Sequence, residues 1–121
     1  MKGNLLNIQR AYDKSFKKWC SVVDNLGWRV LVEYCDSSDE MPSGSGLDAY
    51  AVCQAQYPYL SAVISVNLCR SKGLSVEEVD EIVCHELCHI LLSPLDPLPS
   101  RELEYTVTSL SRILCGISRT G

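Results

Sequence analysis

Residues 77–92, EEVDEIVCHELCHILL, contain the pattern His-Glu-x-x-His at His85, Glu86 and His89. Side chains four residues apart lie on one face of an α-helix, so the two imidazoles can bind one metal ion. Glu86 is rotated by about 100° from His85, and its carboxylate can reach a water on the metal without binding the metal itself. Zinc hydrolysis requires neutral imidazoles, an open position for water and a carboxylate that takes the proton of that water.

The residues around this pattern predict a buried helix. Outside the pattern, every residue from 82 to 92 is uncharged, and a helix that is apolar nearly all round is a buried one. Ser75 and Glu78 form a capping box that begins the helix, and three prolines that follow closely end it near Ser93. Four acidic residues occupy the first turns, where the helix dipole favours negative charge: Glu77, Glu78, Asp80 and Glu81.

Composition limits the classes of protein to which the chain can belong. Its 121 residues predict a single domain over 1–121. The net charge is −4, and the basic residues cluster only at Lys14, Lys17 and Lys18, which argues against a nucleic-acid surface. No apolar run of 18 residues is present and the first residues, MKGN, do not resemble a signal peptide. We therefore expect a cytoplasmic protein that neither binds nucleic acid nor enters a membrane.

The cysteines predict reduced thiols rather than a disulfide framework. Their number, seven, is odd and their spacing contains no C-x-x-C pair, so most of them are expected to be partly buried hydrophobic side chains. Cys84 and Cys88 share a helix face that differs from the face of the histidines, and these four residues cannot bind one ion together. The seven are Cys20, Cys35, Cys53, Cys69, Cys84, Cys88 and Cys115.

The first half of the chain predicts one helix followed by three strands. Residues 4–25 carry apolar side chains at three- and four-residue spacing, which indicates an amphipathic helix. Residues 28–34, 49–56 and 60–68 have the alternation and β-branched content of strands. Tyr57, Pro58 and Tyr59 predict the turn between the last two strands, which are expected to pair antiparallel. Residues 36–46, rich in Ser, Asp, Pro and Gly, indicate an exposed loop.

The last helix completes an α+β domain. Ser100 is a natural N-cap, residues 101–115 carry an apolar stripe, and Gly116 is expected to stop the helix. Strands grouped between helices predict one three-stranded, mainly antiparallel sheet packed against an N-terminal helix, the His-Glu-x-x-His helix and a C-terminal helix.

A catalytic zinc usually has three protein ligands, and the chain has no third histidine. The acidic candidates are Asp96, Glu102 and Glu104. Asp96 follows His89 by only seven residues, and Glu102 lies in the first turn of the last helix, where the dipole alone explains a carboxylate. Glu104 is followed on its own face by small residues, Thr108, Ser111 and Cys115, which would allow close approach to the histidines. The helix wheel alone does not choose between Glu102 and Glu104.

This order of elements resembles the zincin metallopeptidases of the gluzincin type. The run HELCHILLSP, followed by Glu104-x-x-Val107-x-x-Leu110-x-Arg112, is similar to the minimal single-domain zincins of phage and bacterial genomes, akin to the ImmA/IrrE-type peptidases. The similarity covers roughly residues 48–114, and the third ligand is not a histidine as it is in SprT-like and metzincin proteins.

The resemblance implies a site and a substrate. It assigns zinc to His85, His89 and Glu104, and general-base catalysis to Glu86, in a peptidase acting on a peptide or protein. It also implies that the substrate pairs as an added strand with the sheet edge before the active helix, which the sequence suggests is residues 60–67. No residue that stabilises the transition state is identified, although Tyr57, Tyr59 and Tyr105 are available.

Three other interpretations remain open at the level of sequence. In the first, both histidines are hydrogen-bonded core residues and Glu86 points to water. The second is a zinc-stabilised or metal-free protein-interaction module with a vestigial site. In the third, a deformylase-like amidohydrolase, Cys53 or Cys69 would be the third zinc ligand.

Overall fold

The computed structural model describes residues 2–42, 49–56, 59–93 and 100–120. Their order is that of an α+β domain, as predicted. Asp96 and the turn predicted at Tyr57 and Pro58 lie outside the described residues. The elements are α1 (Lys2–Asp24), β1 (Arg29–Cys35), a short 3-10 helix (Ser38–Glu40), β2 (Ala51–Gln56), β3 (Ser61–Asn67), α2 (Val76–Leu92) and α3 (Ser100–Thr120).

The three strands form a mixed sheet in the order β1-β3-β2. β2 pairs antiparallel with β3, with Gln56 opposite Ser61, as predicted. β1 pairs parallel with β3, with Arg29 opposite the same Ser61, so the sheet is mixed and not mainly antiparallel. The alternation of side chains identifies strands and their faces, but it carries no information about which strands become neighbours. β3 takes the centre because it is the most buried strand on both faces.

The position of β3 corrects the predicted substrate edge. Residues 60–67 form the central strand, whose backbone is paired on both sides. An added strand needs unpaired backbone groups, and in this sheet only the outer edges of β1 and β2 can offer them. The prediction that residues 60–67 receive a substrate strand is therefore wrong.

The core lies between one sheet face and two helices. Ala62, Ile64 and Val66 of β3 are buried beneath α1 and α2. α2 contacts α1 on one side, α3 on the other and the sheet below, and this position explains why its sequence is apolar nearly all round. No described helix has the length and hydropathy that crossing a membrane would require.

The start of α2 was predicted correctly, whereas the end of α3 was not. The Ser75 hydroxyl accepts a hydrogen bond from the Glu78 amide at 3.1 Å, and the Ser75 amide donates to Glu78 Oε1 at 3.0 Å, which is the predicted capping box. α3 continues through Gly116 to Thr120. A glycine inside a helix costs only about 1 kcal/mol relative to alanine, and Gly116 does not adopt the positive φ that ends a helix.

Asp80, one of the acidic residues noted in the first turns of α2, connects the three helices. It is 9% exposed. Its carboxylate accepts hydrogen bonds from Ser15 Oγ at 2.8 Å, Trp19 Nε1 at 2.7 Å and Lys18 Nζ at 3.2 Å, all on α1. Cys115 Sγ of α3 lies 3.9 Å from Oδ2. Burial alone would raise the pKa of Asp80, but the hydrogen bonds from α1 outweigh it and hold that pKa below its usual value.

Candidate metal centre

α2 presents His85 and His89 on one face, one turn apart. Their ring centroids lie 5.0 Å from each other, and both side chains are partly buried. Because Leu87 on another face of the same helix belongs to the core above the sheet, α2 cannot rotate without losing buried apolar surface. Packing of the helix therefore fixes the direction in which the two imidazoles point.

α3 brings Glu104 to both histidines. Glu104 Oε1 lies 2.8 Å from His89 Nε2, and Oε2 lies 3.5 Å from His85 Nε2. The carboxylate therefore bridges the two imidazoles from the neighbouring helix.

Small side chains allow α2 and α3 to approach closely. Cys84 Sγ donates to the Ser111 carbonyl at 3.7 Å, and Cys115 Sγ to the Asp80 carbonyl at 3.9 Å. Cys84, Cys115 and Ser111 are all buried in this interface. The small residues after Glu104 were predicted to let α3 come close to α2, and two of them, Ser111 and Cys115, contact α2 directly.

The three side chains form a group that could hold a metal ion. One ligand atom from each of His85, His89 and Glu104 lies within 4.8 Å of the other two. Zinc binds nitrogen and oxygen at about 2.0–2.2 Å, which separates tetrahedral ligands by about 3.3–3.6 Å. The Glu104 oxygens lie 2.8 and 3.5 Å from the histidine nitrogens. Burial, and then the positive charge of His89, lower the pKa of His85 against the opposing effect of Glu104, which favours the neutral imidazole that metals bind.

Glu86 lies beside this group on the inner side of α2. The side chain is buried, with 6% of the residue exposed. Burial, and then the negative charge of Glu104, raise the pKa of Glu86 to about 8. The sequence pattern predicted Glu86 as the proton acceptor, and a pKa close to neutrality suits a group that takes up and returns a proton.

The cysteines proposed for a deformylase-like site do not join the histidines. Among the residues that the structure describes, only His85, His89 and Glu104 form a group that could hold a metal ion. Burial, and then the charge of Glu86, raise the pKa of Cys53 to about 12, which opposes the thiolate form that binds metal. Cys69 lies beyond the end of β3 on the surface. The geometry therefore gives no support to this interpretation.

The remaining candidate residues contribute less. The side chain of Glu102 lies outside what the structure describes. Tyr59 and Tyr105 are 79% and 75% exposed, and neither lines the cavity next to the histidines. The sequence offered no reason to consider Tyr50, which precedes β2 and does line that cavity.

A cavity of about 370 Å³ opens beside the metal-binding group. It lies between the beginning of β2, the N-terminal half of α2 and the middle of α3. His85 and Glu86 line it, together with apolar side chains such as Ile82, and Arg112 contributes from α3. In the sequence, Arg112 appeared only as the last residue of the pattern that resembles the zincins. Nothing in that pattern indicated that it borders a cavity. The cavity provides space for a substrate beside the proton acceptor.

No protein family, curated protein or solved structure matches the chain. The resemblance to the zincins therefore rests on the sequence motif and the order of elements alone.

Proposed function

We propose that the chain is a zinc-dependent metallopeptidase. The observation that carries the proposal is the contact of Glu104 with both histidines, 2.8 and 3.5 Å away, beside the buried carboxylate of Glu86. Two imidazoles and one carboxylate are the ligand set of the gluzincin type of zinc peptidase, in which a fourth position is left for water or substrate.

Each residue of the site has a distinct task in this proposal. Bound zinc would supply Lewis acidity, which makes water acidic and polarises the carbonyl of the scissile bond. Glu86 accepts the proton of the attacking water and returns it to the nitrogen of the leaving group. His85, His89 and Glu104 hold the ion, and the packing of α2 against the sheet keeps Glu86 at a fixed position relative to them.

The free edge of β2 is the surface that a peptide can use. Among the strands that the structure describes, β2 has a neighbour only on the β3 side, and it packs against α2. Its first residue, Ala51, lines the cavity that also contains His85 and Glu86. A peptide added antiparallel to β2 would make main-chain hydrogen bonds and extend past the proton acceptor.

The same ligand set also suits a non-haem iron(II) site. The buried carboxylate of Glu86 favours hydrolysis, because an oxygenase has no need of a proton acceptor on the residue that follows the first histidine. Measuring which metal binds therefore forms part of the test.

The deciding experiment combines metal analysis with a single substitution. Purified protein is dialysed against zinc, and its metal content and cleavage of denatured casein and a random peptide library are measured. We expect one zinc per chain and cleavage by the wild type, and Glu86→Gln should keep the zinc while losing at least about 100-fold in rate. Glu33→Gln, which removes an exposed charge from β1, is the matched control and should cleave normally.

Two outcomes would contradict the proposal. Protein that stays metal-free in the presence of zinc has no metal centre. If Glu86→Gln protein retains every measurable function, the site is vestigial and the chain is an interaction module.

A further inference from the structure

Arg112 stands out among the charged residues that line the cavity. On the α2 wall, Glu78 Oε1 accepts a hydrogen bond from the Ser75 amide, and Glu81 has an interaction of its own. Within the described part of the chain, the exposed guanidinium of Arg112 makes no ion pair with a carboxylate. The cavity thus borders a positive charge that is available to a ligand.

The spacing along α3 relates Arg112 to the metal-binding group. It follows Glu104 by eight residues, which is about 12 Å along the helix axis. An extended peptide covers about 3.3–3.6 Å per residue, so this distance corresponds to three or four residues. Because the arginine side chain is long, a group that it binds would lie within about three residues of the scissile bond.

The direction of β2 indicates which part of the substrate enters the cavity. β2 runs from Ala51, at the cavity, to Gln56. A substrate strand antiparallel to β2 runs the opposite way, so its C-terminal part lies over Ala51. The residues that follow the scissile bond therefore meet Ile82 and Arg112.

We propose that Arg112 binds a substrate carboxylate on the C-terminal side of the scissile bond, an inference that rests on the proposed peptidase function. Guanidinium groups bind carboxylates in a planar, bidentate geometry that lysine does not reproduce. The carboxylate can come from the C-terminus of a short peptide or from the side chain of Asp or Glu. In both cases the preferred substrate is acidic after the bond that is cut.

The test begins with a random peptide library that is digested by the zinc-loaded wild type and analysed by mass spectrometry. Cleaved sequences are resynthesised in matched pairs, with a free or amidated C-terminus and with Asp or Asn. We expect the free carboxylate or Asp form to be cleaved with a kcat/KM about 10- to 100-fold higher than its neutral partner. A preference in the pair that differs at the C-terminus identifies the terminal carboxylate as the bound group, and a preference in the Asp and Asn pair identifies the side chain.

Substitution of Arg112 locates the preference. Arg112→Gln should cleave both members of each pair equally, and Arg112→Lys should recover only part of the preference. Arg10→Gln, which removes an exposed charge on α1 away from the cavity, should keep it. If the wild type shows no preference, or if Arg112→Gln retains one, the assignment of Arg112 is overturned and the peptidase proposal stands.

Binding measurements separate failure of Arg112 from failure of catalysis. The affinity of each peptide pair for zinc-loaded Glu86→Gln protein is measured by fluorescence anisotropy, with and without Arg112→Gln. Tighter binding of the carboxylate form that requires Arg112 supports the assignment, even if the wild type cleaves nothing and the peptidase proposal fails. Equal binding of both forms together with absence of cleavage overturns both.

Discussion

At the scale of single residues, the site depends on a carboxylate that spans two imidazoles. Glu104 has one oxygen near each histidine, so an ion bound there would replace a hydrogen-bonding arrangement that already exists. Glu104 is half exposed, and its position is set mainly by the helix that carries it. The contacts with both histidines distinguish Glu104 from Glu102, because the helix dipole alone explains a carboxylate at Glu102 in the first turn of α3.

The two glutamates should respond differently to loss of charge. Glu104→Gln replaces an anionic oxygen ligand with a neutral amide, and zinc affinity should fall by at least about 10-fold. Glu102→Gln should leave zinc affinity unchanged and cost about 0.3–1 kcal/mol of stability. Competition with a fluorescent zinc chelator measures both affinities. A reversed result would move the ligand to Glu102, and wild-type affinity in both variants would remove both glutamates from the site.

The position of a single residue can be predicted from the sequence when its partners are close to it along the chain. The spacing of His85 and His89 specifies their common face, because four residues make about one helical turn. Asp80 is different, since its partners Ser15, Lys18 and Trp19 lie more than 60 positions away in sequence. The helix dipole alone explained a carboxylate near the start of α2, and no local pattern indicates that three side chains of α1 converge on it.

At the scale of elements, the closeness of α2 and α3 determines whether the ligands meet. The buried residues of this interface include Cys84 and Cys88 on α2, and Val107, Ser111 and Cys115 on α3. Apart from Val107 they are small, and small facing residues reduce the distance between helix axes. The geometry of His85, His89 and Glu104, which could hold a metal ion, therefore depends on the volume of side chains outside this group.

Enlarging Ser111 should weaken metal binding from a distance. Ser111→Leu adds volume to a packed interface, which should cost about 1–3 kcal/mol of stability and move Glu104 away from the histidines. We expect a zinc affinity at least about 10-fold lower, measured by chelator competition on folded protein. Thr106→Leu enlarges an exposed side chain of the same helix and serves as control. Wild-type zinc affinity in folded Ser111→Leu protein would show that the helix spacing does not control the site.

The sequence predicted the helices and strands better than it predicted which strands pair with each other. The capping box of Ser75 and Glu78 depends on only four consecutive residues, and the structure contains it at the predicted position. The parallel pairing of β1 with β3 depends on the path of the chain between them, which alternation of side chains does not encode. For the same reason, the free edge of the sheet was assigned to β3 rather than to β2.

At the scale of the whole molecule, Asp80 connects helices from both ends of the chain. Asp80→Asn removes the charge that faces Lys18 and places an amide donor opposite its ammonium group. We expect a loss of about 1.5–3 kcal/mol in the free energy of unfolding, measured by urea denaturation in chelator. Asp39→Asn removes an equal charge at an exposed position and should change stability by less than about 0.5 kcal/mol. Equal effects of the two substitutions would mean that the network around Asp80 contributes nothing specific.

The same carboxylate should make stability depend on acid. The pKa of Asp80 is lower in the folded protein than in the unfolded chain, where it is about 3.9. Its charge therefore stabilises the fold fully above about pH 4, and this contribution is lost as the pH falls through the folded-state value. Lys18 from α1 and the Cys115 thiol from α3 face the carboxylate.

Urea denaturation from pH 7 to pH 2 tests this dependence. The difference in unfolding free energy between wild type and Asp80→Asn should be constant near neutral pH and should shrink below about pH 4. A difference that stays the same down to pH 2 would show that the charge of Asp80 is not what stabilises the fold.

The mixed sheet also implies an order of folding. Ser61 pairs with Gln56, its near neighbour in sequence, and with Arg29, from which all of β2 separates it. Closing the longer loop costs more chain entropy, so the β2–β3 hairpin is expected to form earlier on the route to the native state than the β1–β3 pairing. Truncation of Val52 in β2 to alanine should therefore slow folding more, relative to the stability lost, than truncation of Val32 in β1. Stopped-flow refolding of the two variants measures this ratio, and a larger ratio for Val32 would mean that the distant pairing forms first.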